Sequence, residues 1–186
     1  IDVTKTDKEG RSILHVACQR GSLQLVRYLI SLDKLDLSAK DKEGKTILHY
    51  ACNNNCFEMM KYLISLNKVD LDAKDKEQKT ILFELCENGN LDHVSTLINL
   101  HQFELDETDD DGNNILYYAV KSENIDLVQY LISKDKIPVT NKNKRGETIL
   151  QRACDDGNYE IVRYLVELDE FNLYDKDEDG KSILYY

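Results

Sequence analysis

The stretch DKEGKTILHYAC, residues 41–52, decides the fold because it recurs along the whole chain. Successive copies lie 34 residues apart, and every copy contains an adjacent Ile-Leu pair. The other copies read DKEGRSILHVAC from residue 7, DKEQKTILFELC from residue 75, DDDGNNILYYAV from residue 109, NKRGETILQRAC from residue 143 and DEDGKSILYY from residue 177. A fixed period of this length indicates a repeat protein, in which one short structural unit stacks on its neighbours.

Each copy contains the local signals of two helices and a connecting turn. A Ser, Thr or Asn residue precedes every Ile-Leu pair, where its side chain can cap the N-terminus of a helix. A glycine such as Gly21 suits the tight turn that follows. Apolar residues then recur at helical spacing, as in Leu23, Val26, Leu29 and Ile30, and predict a second helix. Because an Asp- and Gly-rich stretch follows, each repeat is predicted to be helix, turn, helix and extended loop.

The period also predicts how the chain is organised. One such unit cannot bury its own apolar face, whereas a stack can, so we expect a single all-α solenoid over residues 1–186. The predicted units are a partial repeat at 1–6, full repeats at 7–40, 41–74, 75–108, 109–142 and 143–176, and a partial repeat at 177–186. Both ends stop within a repeat, so we interpret the chain as a segment of a longer array.

These units resemble the ankyrin repeat. The resemblance rests on the loop residues Asp41 and Gly44, on the run from Thr46 to His49, on the following Ala-Cys pair and on the turn glycines, and it covers the whole chain. It implies stacked helix pairs joined by extended, hairpin-like loops. It also implies that His49, like His15, forms a hydrogen bond that organises the loop.

Some positions depart from the repeat pattern. Ile47 stands where a proline usually follows the cap threonine of an ankyrin repeat. Gln78 replaces the loop glycine, and Asn55 and Glu123 replace turn glycines. Asn tolerates a left-handed backbone fairly well, whereas Glu does not, so we expect Glu123 to carry strain or to change its turn.

Composition and charge exclude several classes of function. The net charge is −11, from 24 Lys and Arg against 35 Asp and Glu, so no nucleic-acid partner is expected. No apolar run approaches the roughly 18 residues of a membrane-spanning helix, and no signal-peptide pattern opens the chain. We therefore expect no membrane insertion and a cytoplasmic, intracellular location. Five cysteines, an odd number, argue against a disulfide framework.

Two acidic loops imitate the start of a calcium-binding loop. DKDEDG, residues 175–180, has the alternating aspartates and following glycine of an EF-hand, but Tyr186 stands where the bidentate Glu belongs. ETDDDG, residues 107–112, fails in the same way at Tyr118. Both stretches occupy the loop that recurs in every repeat, where Asp and Gly serve the turn. We therefore predict no metal site.

No catalytic centre is predicted either. Cys18, Cys52, Cys86 and Cys154 share one repeat position, at which Val120 stands in the fourth repeat. We interpret them as small core residues, with a metal or redox ladder as the alternative. No histidine is placed with a nucleophile in a recognisable catalytic pattern. The protein is thus expected to be no enzyme and to need no cofactor.

The resemblance implies that first helices and loop tips line a concave groove that binds other proteins. The residues predicted to lie there are Arg11, Arg20, Tyr50, Asn53, Asn54, Phe83, Glu84, Glu87, Tyr117, Tyr118, Lys121, Arg152 and Asp155. Aromatic side chains beside charged ones suit a protein interface. The alternative is an ordinary solvated face with tyrosines packed between repeats.

The predicted function is a non-catalytic scaffold that binds a partner protein through this concave face. The third repeat, 75–108, has a net charge of −6, which predicts a partner with a basic segment unless the charge serves only solubility. Two alternatives remain open. The array is the regulatory part of a larger enzyme or channel, or it self-associates through apolar ends that contain Ile1, Val3 and residues 183–186.

Overall fold

The computed structural model of the protein describes residues 3–53 and 56–185. Within these ranges the chain forms ten α-helices in successive pairs, with isolated β-bridges and no β-strand. The helices are α1 (Ile13–Gln19), α2 (Leu23–Ser31), α3 (Ile47–Asn53), α4 (Phe57–Ser65), α5 (Ile81–Glu87), α6 (Leu91–Leu100), α7 (Ile115–Lys121), α8 (Ile125–Ile132), α9 (Ile149–Asp155) and α10 (Tyr159–Glu167), followed by a 3₁₀ helix (Ile183–Tyr185). The prediction of an all-α helical repeat fold is confirmed. Predictions that concern Ile1, Asn54, Asn55 and Tyr186 lie outside the described residues.

The chain divides into two compact units, Ile1–Leu85 and Cys86–Tyr186. In the first unit, α1 packs against α2 and α3, and α3 packs against α4. In the second unit, α7 packs against α8 and α9, α9 packs against α10, and α8 contacts both α6 and α10. Within each unit a first helix therefore packs on its own second helix and on the next first helix, as stacked repeats require. A single continuous array over residues 1–186 stays a prediction.

The predicted helix caps are present. Ser12 begins α1, and its Oγ accepts a hydrogen bond from the backbone N–H of His15, whose ring nitrogen accepts from the Ser12 N–H in return. Thr148 and Gln151 form the same reciprocal cap at α9. Asn114 caps α7 through its side-chain oxygen. These contacts satisfy backbone donors that the first turn of a helix leaves without a partner.

The two repeat histidines tie a first helix to the loop that follows it. The Nδ1 atom of His49 lies 3.2 Å from the backbone N of Thr46, which can only donate, so Nδ1 accepts and Nε2 carries the proton. Nε2 then donates to the carbonyl oxygen of Lys79 at 3.2 Å. His15 Nε2 lies 3.1 Å from the carbonyl oxygen of Ala39, at an earlier place in the loop that follows its repeat's second helix. The predicted loop-organising hydrogen bond is confirmed.

The recurring aspartates serve the turn, as predicted. Asp75 Oδ1 accepts hydrogen bonds from the backbone N–H groups of Glu77 and Lys79, both at 2.9 Å. In the loop that resembles a calcium site, Asp177 Oδ1 likewise accepts from the N–H of Lys181 at 2.8 Å. The described residues contain no group of three or more His, Cys, Asp or Glu side chains placed to hold a metal ion.

Consecutive loops are joined by backbone hydrogen bonds that leave no room for a side chain. The N–H of Lys42 donates to the carbonyl oxygen of Glu9 at 2.9 Å, and that of Lys76 donates to Glu43 at 2.8 Å. Gly44 has a φ of +80°, and a Cβ there would lie 3.0 Å from the backbone N of Lys76. Glycine is required because it has no Cβ and adopts a left-handed backbone without strain.

Glu123 adopts the left-handed backbone that the sequence predicted to be strained. Its φ is 61°, and Gln78, at the loop glycine position, has a φ of 62°. The structure also shows a recurring left-handed residue after the second helix, which sequence analysis missed. The residues at that place are Asp33, Asn67, Asp135 and Asp169.

The shared cysteine position lies in or next to the core. Cys18, Cys52 and Cys86 are buried, Cys154 is half-buried, and Val120 is buried at the same place. Burial raises the pKa of the Cys18 thiol to about 12 and also raises that of the other cysteines at this position. They therefore stay protonated at neutral pH and pack as small apolar residues.

In the described part of the chain, every helix is too short or too polar to span a lipid bilayer.

Candidate functional site

One stripe of the first helix α1 lies away from the core. In α1 the buried residues are Leu14, His15, Ala17 and Cys18. Val16 is half-buried, and Gln19 and Arg20 are exposed. These three residues are spaced i, i+3 and i+4, so they share one face of the helix. We call the residues at the places of Val16, Gln19 and Arg20 in every repeat the outer stripe.

Most of the predicted groove residues belong to the outer stripe. Arg20, Asn53, Lys121 and Asp155 are exposed. The half-buried ones are Tyr50, Glu87 and Arg152 on the stripe, together with Arg11 in a loop and Tyr117 one place before the stripe. Asn54 lies outside the described residues. The structure therefore provides a set of accessible side chains of mixed chemistry on the first helices.

Three predicted groove residues lie in the interior instead of on an accessible surface. Phe83 is 2% exposed, and His15 at the same place of the first repeat is also buried. Tyr118 is 5% exposed, and its hydroxyl donates to Asp109. Glu84 is 8% exposed and forms an ion pair with Lys45. We correct the sequence prediction at these three positions, since none of them presents its side chain to a partner.

Two acidic residues of the third repeat, Glu84 and Glu87, are paired with lysines of neighbouring repeats. Lys45 Nζ lies 2.6 Å from Glu84 Oε1, and Lys121 Nζ lies 2.6 Å from Glu87 Oε1. Burial opposes the charge of Lys45, but the ion pair with Glu84 outweighs burial and raises the pKa of the lysine. Glu84 and Glu87 therefore provide little free charge for a basic partner.

Tyr50 and Arg11 support their own loops while remaining partly accessible. The hydroxyl of Tyr50 donates to Asp41 Oδ2 at 2.6 Å. Burial and this bond raise the pKa of Tyr50 to about 12, so it is neutral at physiological pH. Arg11 binds Asp7 Oδ2 at 2.8 Å and Gln19 Oε1 at 3.0 Å. Both side chains are held in one orientation, which favours a rigid surface.

A cleft of about 500 Å³ opens in the second unit beside α7 and α9. Three predicted residues, Tyr117, Arg152 and Asp155, line it. Loop residues complete the lining, and these are Arg145, Glu147, Asp177, Glu178, Asp179 and Lys181. The cleft is therefore walled mainly by charged side chains around one aromatic ring.

Hydrogen bonds fix the inner part of the cleft. Tyr117 Oη lies 3.4 Å from Glu147 Oε2, which also accepts from Asn143 Nδ2 at 3.1 Å. Burial and the nearby Glu147 carboxylate raise the pKa of Tyr117. Arg152 binds Asp156 through Nε at 2.8 Å, and this bond raises the pKa of the guanidinium. The ring of Tyr117 and the carboxylate of Glu147 are thus held side by side.

Sequence analysis missed the loop residues of the cleft, although a signal was present. Arg145 is basic where the other loops have an acid, namely Glu9, Glu43, Glu77, Asp111 and Asp179. Glu147 is acidic where the other loops have a base or an amide, namely Arg11, Lys45, Lys79, Asn113 and Lys181. The fifth loop therefore reverses the charge order of the repeat, and comparing repeats place by place would have found it.

The two serine- or threonine-histidine contacts are helix caps and not catalytic pairs. Ser12 Oγ lies 2.8 Å from His15 Nδ1, and Thr46 Oγ1 lies 3.0 Å from His49 Nδ1. Both rings are buried, and both Nε2 atoms are bound to a backbone carbonyl. Burial lowers the pKa of each histidine. Because each ring is enclosed by its cap and its loop, no open position is left for a substrate beside it.

Comparisons with known proteins agree with the repeat pattern. A family model described as "Ankyrin repeats (3 copies)" matches residues 1–75 and 57–141, and one described as "Ankyrin repeat" matches residues 145–174. The comparison with curated proteins gives no match. The matched residues extend over most of the chain.

Proposed function

The chain belongs to the ankyrin-repeat family, and we propose that it is a non-catalytic scaffold that binds a partner protein through the outer stripe and the neighbouring loop tips. Ankyrin repeats generally mediate protein–protein interaction, and proteins built from them are typically not catalytic. The face that we assign to the partner is the concave one that the family resemblance implies. Protein binding is general to the family, and binding through this particular face is what we propose.

The accessibility of the outer stripe supports this assignment. The first helices α1, α3, α7 and α9 each pack on their own second helix and on a neighbouring first helix. Arg20, Asn53, Lys121 and Asp155 are exposed and differ in charge and size, although they occupy similar places in their repeats. The scaffold does not require these particular residues. A set of variable side chains on a regular frame is suited to contacting one partner at several points.

Affinity pull-down from an extract of the source cells tests the proposal. The wild-type chain is compared with a stripe variant in which three exposed residues become alanine, namely Arg20, Asn53 and Lys121. We expect the wild type to capture a partner and the stripe variant to lose most of it, because truncation of a hot-spot residue near an interface centre costs about 2 kcal/mol or more.

A matched control variant distinguishes the loss of outer-stripe side chains from the loss of exposed side chains in general. It replaces two basic residues and one amide with alanine at exposed positions of the second helices, namely Gln24, Lys61 and Arg163. Both variants lose two basic side chains and one amide, so they have equal net charge. Equal capture by the two variants would contradict the assignment of binding to the outer stripe.

A further inference from the structure

We propose that the cleft beside Tyr117 receives an arginine side chain from a basic segment of the partner protein. This inference rests on the proposed function, since it gives the chemistry of the partner that this surface binds. The size of the cleft, its charges and the reversed charge order of the fifth loop support it.

The cleft has the dimensions of a binding pocket but a polar lining. Its volume of about 500 Å³ lies within the range of roughly 300–1,000 Å³ found for ligand pockets. Pockets for small apolar molecules are lined mainly by hydrophobic side chains, whereas only Tyr117 provides an aromatic surface among the residues that line this one. A charged group carried on a side chain suits such a lining better than an apolar molecule.

Two basic residues of the cleft are already engaged by carboxylates. Arg152 forms an ion pair with Asp156, and Lys181 Nζ lies 3.2 Å from Asp179 Oδ2. These pairs offset both positive charges. The basic residues therefore do not make the cleft a strong site for an anion.

Acidic side chains outnumber basic ones in the lining of the cleft that the structure describes. Five carboxylates line it, those of Glu147, Asp155, Asp177, Glu178 and Asp179, against the three basic side chains of Arg145, Arg152 and Lys181, and Asp155 lies 3.8 Å from Arg152 Nη1. A concave surface with an excess of one charge attracts groups of the opposite charge. The cleft is therefore expected to attract a cation.

The fifth loop keeps the backbone contact of the repeat despite its reversed charges. The N–H of Lys144 donates to Asp111 O at 2.8 Å in the second unit, as the N–H of Lys76 donates to Glu43 O at 2.8 Å in the first. Within the fifth loop, Glu147 Oε2 accepts from Asn143 Nδ2 at 3.1 Å. The reversal also places the carboxylate of Glu147 next to the ring of Tyr117.

Arginine fits this combination better than lysine does. A guanidinium group is planar, so it can stack on an aromatic ring while it donates two parallel hydrogen bonds to a carboxylate. Tyr117 supplies the ring, over which Arg152 of this chain also lies with its Cζ 5.9 Å from the ring centroid. Glu147 supplies the adjacent carboxylate, with 3.4 Å between Tyr117 Oη and Glu147 Oε2. The ammonium group of lysine cannot make the paired contact.

Nuclear magnetic resonance titration of the full chain tests the inference. The probe is a short capped peptide in which Arg alternates with Gly, and the reference peptides contain citrulline or phosphoserine in place of Arg. We expect Arg-dependent shifts in the backbone amides of residues 145–155 and 177–181. The citrulline peptide should bind at least about tenfold more weakly, because it keeps the shape of arginine but lacks the charge.

A double variant links the binding to the cleft. Glu147→Gln with Asp155→Asn removes two charges, and the Gln side chain keeps an oxygen that can accept from Asn143. The control, Glu104→Gln with Asp106→Asn, removes two charges from exposed positions outside the cleft. We expect about a tenfold loss of affinity for the Arg peptide in the cleft variant and less than about twofold in the control.

Three results would overturn the inference. They are equal binding of the citrulline peptide, tighter binding of the phosphoserine peptide, and equal affinity of the cleft and control variants for the Arg peptide. None of these results decides the proposed function, because the pull-down uses alanine substitutions at Arg20, Asn53 and Lys121, which lie outside the cleft.

Discussion

The hydroxyl of Tyr118 donates to Asp109 Oδ2 at 2.5 Å, which joins a first helix to the loop that precedes it. The same carboxylate accepts backbone N–H bonds through Oδ1, from Asp111 at 2.9 Å and from Asn113 at 2.8 Å. Tyr118 therefore stabilises the loop and does not contact a partner. The equivalent bond from Tyr50 in the second repeat is more accessible to water.

We expect Tyr118→Phe to lower the free energy of unfolding by about 1.5–3 kcal/mol, because it removes a buried hydrogen bond to a charged acceptor. Urea denaturation followed by circular dichroism measures the change. Tyr50→Phe is the matched control and should have a smaller effect, since water can replace its hydroxyl. A larger loss for Tyr50→Phe than for Tyr118→Phe would contradict this assignment.

The ion pair between Lys45 and Glu84 should stabilise the first unit more than the pair between Lys121 and Glu87 stabilises the second. Glu84 is the most buried of the four side chains, and Glu87 is more accessible to water than Glu84. We expect Glu84→Gln to lower stability by about 1–3 kcal/mol and Glu87→Gln by less than about 1 kcal/mol. Denaturation at low and high salt measures both, and only the Glu87 effect should disappear with salt. The reverse order of the two effects would be inconsistent with the structure.

Stability should fall in mildly acidic solution because of the two capping histidines. Burial lowers the pKa of His15 and His49 in the folded protein, so below about pH 6.5 the unfolded chain binds more protons than the folded one. The stabilisation is thus complete above that pH and is lost as the pH falls toward the folded pKa. Denaturation midpoints measured across this window test the sign.

Gln151 provides the control for the histidine prediction. It forms the same cap on Thr148, and its Nε2 donates to the carbonyl oxygen of Lys181 at 3.1 Å, without a titrating group. The double variant H15Q/H49Q should therefore fold and show a flatter pH dependence between about pH 7 and pH 5.5 than the wild type. An unchanged slope would mean that other groups cause the acid sensitivity.

Replacing Glu123 with glycine should stabilise the second unit. The left-handed backbone of Glu123 is unfavourable for a residue with a Cβ by about 1 kcal/mol, and glycine adopts it freely. We expect Glu123→Gly to raise the denaturation midpoint. Glu160→Gly in α10 is the control and should lower stability by about 1 kcal/mol, because that glutamate has a helical backbone. A loss of stability in both variants would argue against strain at Glu123.

The 34-residue period was sufficient to predict the helix pairs, the caps and the role of the loop aspartates. These features depend on contacts within one repeat or on a pattern that every repeat shares. The prediction that Phe83 and Tyr118 face a groove was wrong because residues at one repeat place differ in burial from repeat to repeat. Tyr117 and Tyr50 occupy the same two places and are half-buried. The Lys45–Glu84 pair could not be predicted, since it joins different places of consecutive repeats and leaves no periodic signal.

The loop residues of the cleft were missed for another reason. Arg145 and Glu147 differ from the repeat pattern only in charge, and a search for shared features passes over such residues. The left-handed place after the second helix was missed because Asp33 and its equivalents are mostly aspartates and not glycines. Both features could be found by comparing the residues at each repeat position and asking which of them the repeat structure does not require.

Hydrogen–deuterium exchange on the full chain, with and without the partner captured in the pull-down, tests the central claim most directly. Because the outer stripe lies on the first helices, we expect the partner to slow exchange at the ends of α1, α3, α7 and α9 and in the neighbouring loop tips. The second helices α2, α4, α8 and α10 should exchange as they do in the free protein. Protection confined to the second helices would contradict the claim that the protein binds through its outer stripe.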